Sequence, residues 1–318
     1  MIRRTLLRLI APLFLLPLAL STACERTPPA RWSVDRVKSV VGTARAGRKL
    51  TPAIWPNGAR VAVCLSFDVD NETLALSGGS NAPVDLSAGE FGATQGLPRI
   101  LALLDKHDVP ASFFIPAVSA MLHPDMVQEI KKRPRHEVGV HGWIHENYHS
   151  MNDAAEEERL MNQTIDYMTD LLGKRPVGFR APSWSFSRYT PSLIRKAGFL
   201  YDSSLMAMDE PYEFLVDGQS TGIVELPVEW ILDDYPYFTR AGALPSPELI
   251  FNVYRDEFDL AYEERSMLML TMHPHVIGHR SRISHLDRLI AYMKSKPGVW
   301  FASAEQIASY VKKADDAE

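Results

Sequence analysis

Cysteine is nearly absent: the 318 residues hold two, Cys24 and Cys64. A disulfide framework, a zinc ribbon and an iron–sulfur cluster are therefore excluded. No Gly-x-Gly-x-x-Gly follows an apolar run, so nothing marks a dinucleotide-binding fold. There is no internal repeat and no surplus of positive charge: Lys and Arg number 34 against 39 Asp and Glu, a formal charge of −5. Loss of Arg3, Arg4 and Arg8 with a cleaved leader takes that charge from −5 to −8. A mildly acidic chain of this kind is no general binder of nucleic acid. Beyond the leader no long uncharged apolar run occurs, so no later segment is expected to span a membrane. What is present is ordinary globular composition, 46% hydrophobic and 23% charged, which excludes intrinsic disorder.

Residues 1–23 read as an export signal, with Arg3, Arg4 and Arg8 as the positive region and Leu9 to Leu20 as the apolar one. The end, Ser21-Thr22-Ala23-Cys24, has two readings. Small residues suit an ordinary signal peptidase. Ala23-Cys24 also suits lipoprotein processing, with Cys24 lipidated and the mature protein anchored to a membrane. The Arg3-Arg4 pair resembles a twin-arginine signal, or is simply part of a basic leader. Both readings place the protein in the periplasm or cell envelope. Cys64 lies in the strand-like run Val61–Phe67 and is expected to be a buried, unpaired thiol.

Residues 24–51 are rich in Arg, Lys, Pro and Ala and read as a flexible tether, with a short helix near Val34–Val41. From residue 52 apolar runs alternate with helical periodicity. Strands are expected at Val61–Phe67, Ala111–Ile115, Glu137–Val140, Val177–Arg180, Phe199–Tyr201, Ile223–Val228, Met267–Met272 and Val299–Phe301. Helices are expected between them, among them Leu97–His107, Asp153–Leu172, Ser246–Glu264 and Ser281–Ser295. This is the signature of βα units around a parallel sheet. It predicts a single α/β catalytic domain over 52–312, an irregular (β/α) barrel of seven or eight strands, with a disordered tail at 313–318. A doubly wound open sheet is the alternative. Thr73–Gly96 reads as a loop, either a lid or an exposed insertion. Nothing in the sequence specifies an oligomeric state.

In a parallel barrel, chemistry gathers at the C-terminal ends of the strands. Four expected strands end in polar clusters: Phe67-Asp68-Val69-Asp70-Asn71-Glu72, Val140-His141-Gly142-Trp143-Ile144-His145-Glu146, Phe179-Arg180-Ala181-Pro182-Ser183-Trp184, and His273-Pro274-His275. Each alone has an ordinary explanation: a turn cap for the aspartates, a surface ion pair for Arg180, unrelated roles for the histidines. Together they occupy one topological position. His141 and His145 are four apart, and one helical turn would put both imidazoles on one side. With Asp70 they read as a metal site.

This set resembles the polysaccharide deacetylase family, the NodB-homology domain of carbohydrate esterase family 4, over about Pro52 to Val311. It is most similar to the branch with Phe-Asp-Val-Asp in place of Thr-Phe-Asp-Asp-Gly, which includes allantoinase-like and cyclic-imide-hydrolase-like members. The stretches Arg135–Gly142, Gly178–Ser185 and Gly278–Arg282 fit the same pattern. The resemblance implies Asp70, His141 and His145 as ligands of one divalent metal, with zinc expected. It implies Asp68 as general base, Arg180 as the residue that orients Asp68, and His273 as general acid. Val69, inserted between the two aspartates, is expected to alter the backbone path and to separate base from ligand.

The chemistry so implied is hydrolysis of an amide C–N bond. Two histidines and a carboxylate leave coordination positions open, a base activates water, and an acid protonates the leaving amine. The expected substrate is an acetylated amino sugar in an envelope glycan such as peptidoglycan. A small cyclic amide or imide, opened by the same machinery, is the alternative, and a glycan-binding lipoprotein without catalysis is a second. A non-haem iron oxygenase shares the ligand set, but the strand alternation is wrong for it. Trp143, Pro182 and Trp184 are the candidate substrate contacts, and Trp230, Tyr235 and Tyr237 are further aromatics that could wall a pocket. His136, at the entry to its strand, is expected to be structural. His275 and His279 stand as alternatives for the acid.

Overall fold

The computed structural model describes residues 31–239 and 245–315. The expected signal at 1–23 and the lipidation site Cys24 lie outside the described residues. The chain forms two units, Met1–Val40 and Val41–Glu318. Among the described residues the first holds most of the helix Val34–Gly42, the one expected near Val34–Val41.

The second unit is built on a curled mixed sheet. Its strands are β1 (Ala44–Lys49), β2 (Val61–Asp68), β3 (Ser112–Ile115), β4 (Glu137–Val140), β5 (Gly178–Phe179), β6 (Tyr201–Asp202), β7 (Tyr212–Val216), β8 (Gln219–Glu225), β9 (Met267–Met272) and β10 (Val299–Phe301). Their order is β1-β7-β8-β6-β5-β4-β3-β2-β10, with β9 also paired to β2. The eight strands β2, β3, β4, β5, β6, β8, β9 and β10 pair in parallel, as the βα alternation predicts. β7 and β1 add an antiparallel edge that was not anticipated. β1 lies inside the segment expected to be a tether, so that tether does not reach residue 51. The helix Ala304–Asp315 takes in 313–315, the first residues of the expected tail.

The two faces of β2 explain how the layers form. All eight residues are buried. Val61, Val63, Leu65, Phe67 and Val69 join one apolar cluster, together with Leu97, Ile100, Leu101 and Leu104 of the helix Leu97–His107 and with Leu286, Leu289 and Ile290. Ala62 and Cys64 join another, with Phe114, Tyr201, Met267, Met269 and Ile307, Ala308 and Val311 of the last helix. The first cluster is the layer between sheet and outer helices. The second fills the inside of the curl. Period-two alternation then carries Ser66, Asp68 and Asp70 up the inner face, above Ala62 and Cys64.

Thr73–Gly96 is not a loop. It forms the helices Thr73–Ser77 and Pro83–Phe91 and a wider turn, Gly92–Gly96, that runs into Leu97–His107. Glycine is required where this segment meets the strand ends. A Cβ on Gly96 would stand 2.1 Å from the Pro274 carbonyl oxygen, and one on Gly89 would stand 2.3 Å from the Glu72 nitrogen.

Candidate active site

Asp68 closes β2, and Asp70 lies two residues on. Val69 between them points to the outer cluster and donates its N–H to the Phe114 carbonyl at 2.8 Å. The inserted valine therefore takes the outward position, and the two carboxylates share the inner face instead of being separated.

His141 and His145 follow β4, but not on a helix. Gly142 (φ 75°) and His145 (φ 62°) are left-handed, and the chain doubles back between them. The Glu146 carboxylate holds this turn, accepting from the Trp143 N–H at 2.9 Å and the Ile144 N–H at 2.8 Å. The imidazoles converge as expected, for a different reason: a carboxylate-capped turn rather than a helical one. His141 Nε2 is 3.5 Å from Asp70 Oδ1, and His145 Nε2 is 3.6 Å from Asp70 Oδ2.

These three buried side chains have the features of a cation site. One ligand atom from each lies within 4.8 Å of the others. Asp70 Oδ1 is buried with no hydrogen-bond partner, an unmet acceptor in the middle of the group. His141 Nδ1 is bonded to the Arg180 carbonyl at 2.8 Å, so that nitrogen carries the proton and Nε2 offers its lone pair. Burial alone would raise the Asp70 pKa, but His145, His141 and His273 around it hold it well below the ordinary carboxylate range. The donor set therefore fits a divalent metal.

Arg180 is fully buried, not a surface ion pair. Its Nη1 donates to Asp68 Oδ1 at 2.7 Å and to Ser66 Oγ at 2.9 Å. Nε and Nη2 donate to the Ser203 carbonyl and hydroxyl at 3.0 and 2.9 Å. The guanidinium also lies 4.0 Å from the Phe114 ring centroid. Four hydrogen bonds fix the fork, and the fork fixes one oxygen of Asp68. The other, Oδ2, faces His141 Nε2 at 3.8 Å.

His273 follows β9. Its Nε2 is 3.7 Å from Asp70 Oδ2, and its Nδ1 is held by Asp234 Oδ1 at 2.7 Å, with Asp233 Oδ1 at 3.5 Å. Burial opposes its protonation, but the Asp233 and Asp234 carboxylates outweigh that and raise the His273 pKa well above its usual value. Sequence reasoning missed both aspartates. They lie some forty residues from His273, in a segment without strand periodicity, brought to β9 by a bridge between Asp233 and Thr271. The only sequence signal was two adjacent acids after a strand.

Asp68, Asp70, His141, His145 and His273 open into one cavity of about 190 Å³, walled also by Leu74, Ser183, Trp184, Trp230, Asp233, Tyr235 and Pro236. Of the expected substrate contacts only Trp184 is in this wall. Trp143 sits edge-on to Tyr167 at 6.3 Å, and Pro182 is buried against Gly142. Trp230 and Tyr235, two of the further aromatics, are in the wall; Tyr237 is not. Trp184 and Trp230 are in ring contact, centroids 4.2 Å apart, with Trp230 45% exposed at the rim. Ser183 and Trp184 both have φ 51°, a strained conformation for a bulky residue. His275 and His279 are outside the wall. The ring of His279 stacks on Phe91, and His136 Nδ1 accepts the Ala111 N–H at 3.1 Å where β3 and β4 begin, at the opposite end of the strands from the cavity.

Comparison with known proteins follows the same lines. Residues 86–201 match the family model described as polysaccharide deacetylase. A peptidoglycan deacetylase of Helicobacter pylori is 32% identical over 280 residues, 77% of this chain and 95% of its own. Among solved structures, a Mycobacterium smegmatis protein with a provisional polysaccharide deacetylase assignment superposes with a TM-score of 0.75 at 34% identity, covering 85% of this chain and 96% of its own. The PuuE allantoinase superposes with a TM-score of 0.72 at 27% identity, covering 83% and 93%.

Proposed function

The chain belongs to the polysaccharide deacetylase family and is a hydrolase of non-peptide C–N bonds; from that premise we propose that it removes N-acetyl groups from an amino sugar in an envelope glycan such as peptidoglycan. The observation that carries this is the convergence of a carboxylate base, a two-histidine, one-carboxylate cation site and a carboxylate-backed histidine on one cavity.

Asp70, His141 and His145 would hold the divalent ion, with zinc the expected metal. When bound, the ion supplies a Lewis acid for the amide oxygen and lowers the pKa of water at the site. Asp68, clamped by Arg180 on one oxygen, presents its free Oδ2 toward the ligand set and takes a proton from the attacking water. The water oxygen forms a bond to the acetyl carbonyl carbon. His273, kept protonated by Asp234 and Asp233, gives its Nε2 proton to the sugar nitrogen as the C–N bond breaks. Acetate and a free amine are the products. Trp184, Trp230 and Tyr235 position the sugar. The leader exports the protein to the envelope, and Cys24 anchors it by lipid; the mass of the mature N-terminus tests that part.

A second reading has its own support. A cavity of about 190 Å³ suits a small ring better than a polymer, and the allantoinase likeness covers most of both chains. One screen separates the two. The metal-loaded protein is given acetylated chito-oligosaccharides, peptidoglycan and cyclic imides. Acetate release from either glycan supports deacetylation. Ring opening of an imide without acetate release replaces it with the second reading.

A further inference from the structure

Behind Arg180, on the opposite face of the sheet from Asp68, lies a pair of acids that the proposed chemistry does not use. Asp202 ends β6 and Glu225 ends β8, and the two are register partners on neighbouring parallel strands. Their neighbours Tyr201 and Val224 belong to the inner cluster, so alternation turns both carboxyl groups to the same outer face. Both residues are fully buried.

Each carboxyl group is half satisfied. Asp202 Oδ1 accepts from the Ser204 hydroxyl at 2.8 Å. Glu225 Oε1 accepts from the Ser204 and Leu205 N–H groups at 3.0 and 2.9 Å. The remaining oxygens, Asp202 Oδ2 and Glu225 Oε2, are buried without any donor from elsewhere in the described chain. Two like charges side by side in a buried place cannot both persist. A single proton between them meets both unmet oxygens.

The pair grips the segment that grips Arg180. Ser203 supplies the carbonyl and hydroxyl that receive Nε and Nη2 of Arg180, and Ser204 Oγ accepts the N–H of Ala181 at 2.9 Å. We propose that Asp202 and Glu225 share one proton and act together as a positioning unit, fixing the Ser203-Ser204 segment so that Arg180 aims Asp68 at the reaction. Neither residue is catalytic, since neither reaches the cavity. The effect on turnover rests on the assignment of Asp68 as base; the proton sharing does not. Burial supports it, raising Glu225 well above and Asp202 to about 6.

The test exploits donor geometry. In Glu225→Gln the amide N–H replaces the shared proton and faces the Asp202 carboxylate. In Asp202→Asn the amide N–H faces a Glu225 carboxylate. Each single variant keeps every bond, so each is expected to turn over peptidoglycan within about twofold of the parent protein. The double variant sets two N–H donors against each other. It is expected to lose about 10- to 100-fold in kcat at unchanged KM and unchanged metal content, the range for support residues around a site. Infrared difference spectra of the parent against each single variant at pH 7 should show the carbonyl stretch of one protonated carboxyl in the parent only, a readout that needs no turnover. If the double variant does not fold, Ser204→Ala takes its place, with the same fall in kcat expected. A parent spectrum without that band, or a double or Ser204 variant with the kcat of the parent, overturns the proposal. Failure of Asp68→Asn to reduce turnover while the band persists overturns the base assignment instead.

Discussion

Replacing Arg180 by lysine keeps the charge and removes the fork, which separates electrostatics from geometry at the base. The guanidinium makes four hydrogen bonds in the plane it presents: two from Nη1, to Asp68 and Ser66, and two to Ser203. A lysine ammonium on a flexible stem cannot reproduce that planar set. If it keeps Asp68, the Ser203 carbonyl loses its buried partner, at about 1–3 kcal/mol. If it keeps Ser203, the charge-assisted bond to Asp68 goes, about 1.5–3 kcal/mol. Stacking on Phe114 weakens either way. The expected result is a fall of about 2–4 kcal/mol in unfolding free energy, read as a lower urea midpoint at constant slope. kcat should fall about 100-fold, because an Asp68 carboxylate displaced by an ångström no longer meets the water it must deprotonate. Arg180→Ala should cost more, about 3–5 kcal/mol, since it strands a buried carboxylate without its partner. A lysine variant that unfolds at the parental urea midpoint and turns over at the parental rate would show that charge alone suffices and that the fork argument is wrong.

Elemental analysis of the purified protein should find about one divalent ion per chain, with Asp70→Asn and His141→Ala substoichiometric and lower in Tm because a ligand that binds only the folded state is lost. Equal metal in His141→Ala would place the ion elsewhere. Trp230→Ala should raise KM for the accepted substrate about 2- to 10-fold at constant kcat, the worth of one aromatic contact at a rim; a change confined to kcat would remove Trp230 from the binding surface. His136 gives a pH test of stability. Burial, with the charge of Arg135, lowers its pKa from 6.5 to about 4, so the fold favours the neutral ring. The unfolded chain takes up the proton first as pH falls, and stability should drop from about pH 6.5 down to about pH 4, by up to about 2 kcal/mol after allowing for partial exposure. His136→Gln retains an acceptor for the Ala111 N–H and should flatten that part of the curve. A parental slope in the variant would assign the titration to another group.

The strands that carry the site were legible because both their faces are covered. β2 and β9 are buried along their whole length and apolar except at Ser66, Asp68 and Thr271, the pattern of a parallel strand covered on both faces. β1, with the sequence ARAGRK, reads as linker; only its pairing with β7 makes it a strand. The convergence of His141 and His145 was legible, but its cause was not, because spacing alone does not separate a helical turn from a glycine turn closed by Glu146. Asp233 and Asp234 were hidden because their role comes from one bridge to β9 rather than from any local pattern. Val69 shows how a small rule decides such cases. Taken as an insertion it separates base from ligand; taken as the odd member of a strand it joins them. Val61, Val63, Leu65, Phe67 and Val69 lie in the helix-facing cluster, and Ala62 and Cys64 lie in the inner one. The inner face therefore continues through Ser66, Asp68 and Asp70 as a single row, apolar where it fills the curl and acidic where it reaches the cavity. A carboxylate pair two residues apart shares a face only while the backbone stays extended, so here the intervening residue had to be one that belongs to the opposite layer. Valine, β-branched and apolar, meets both requirements.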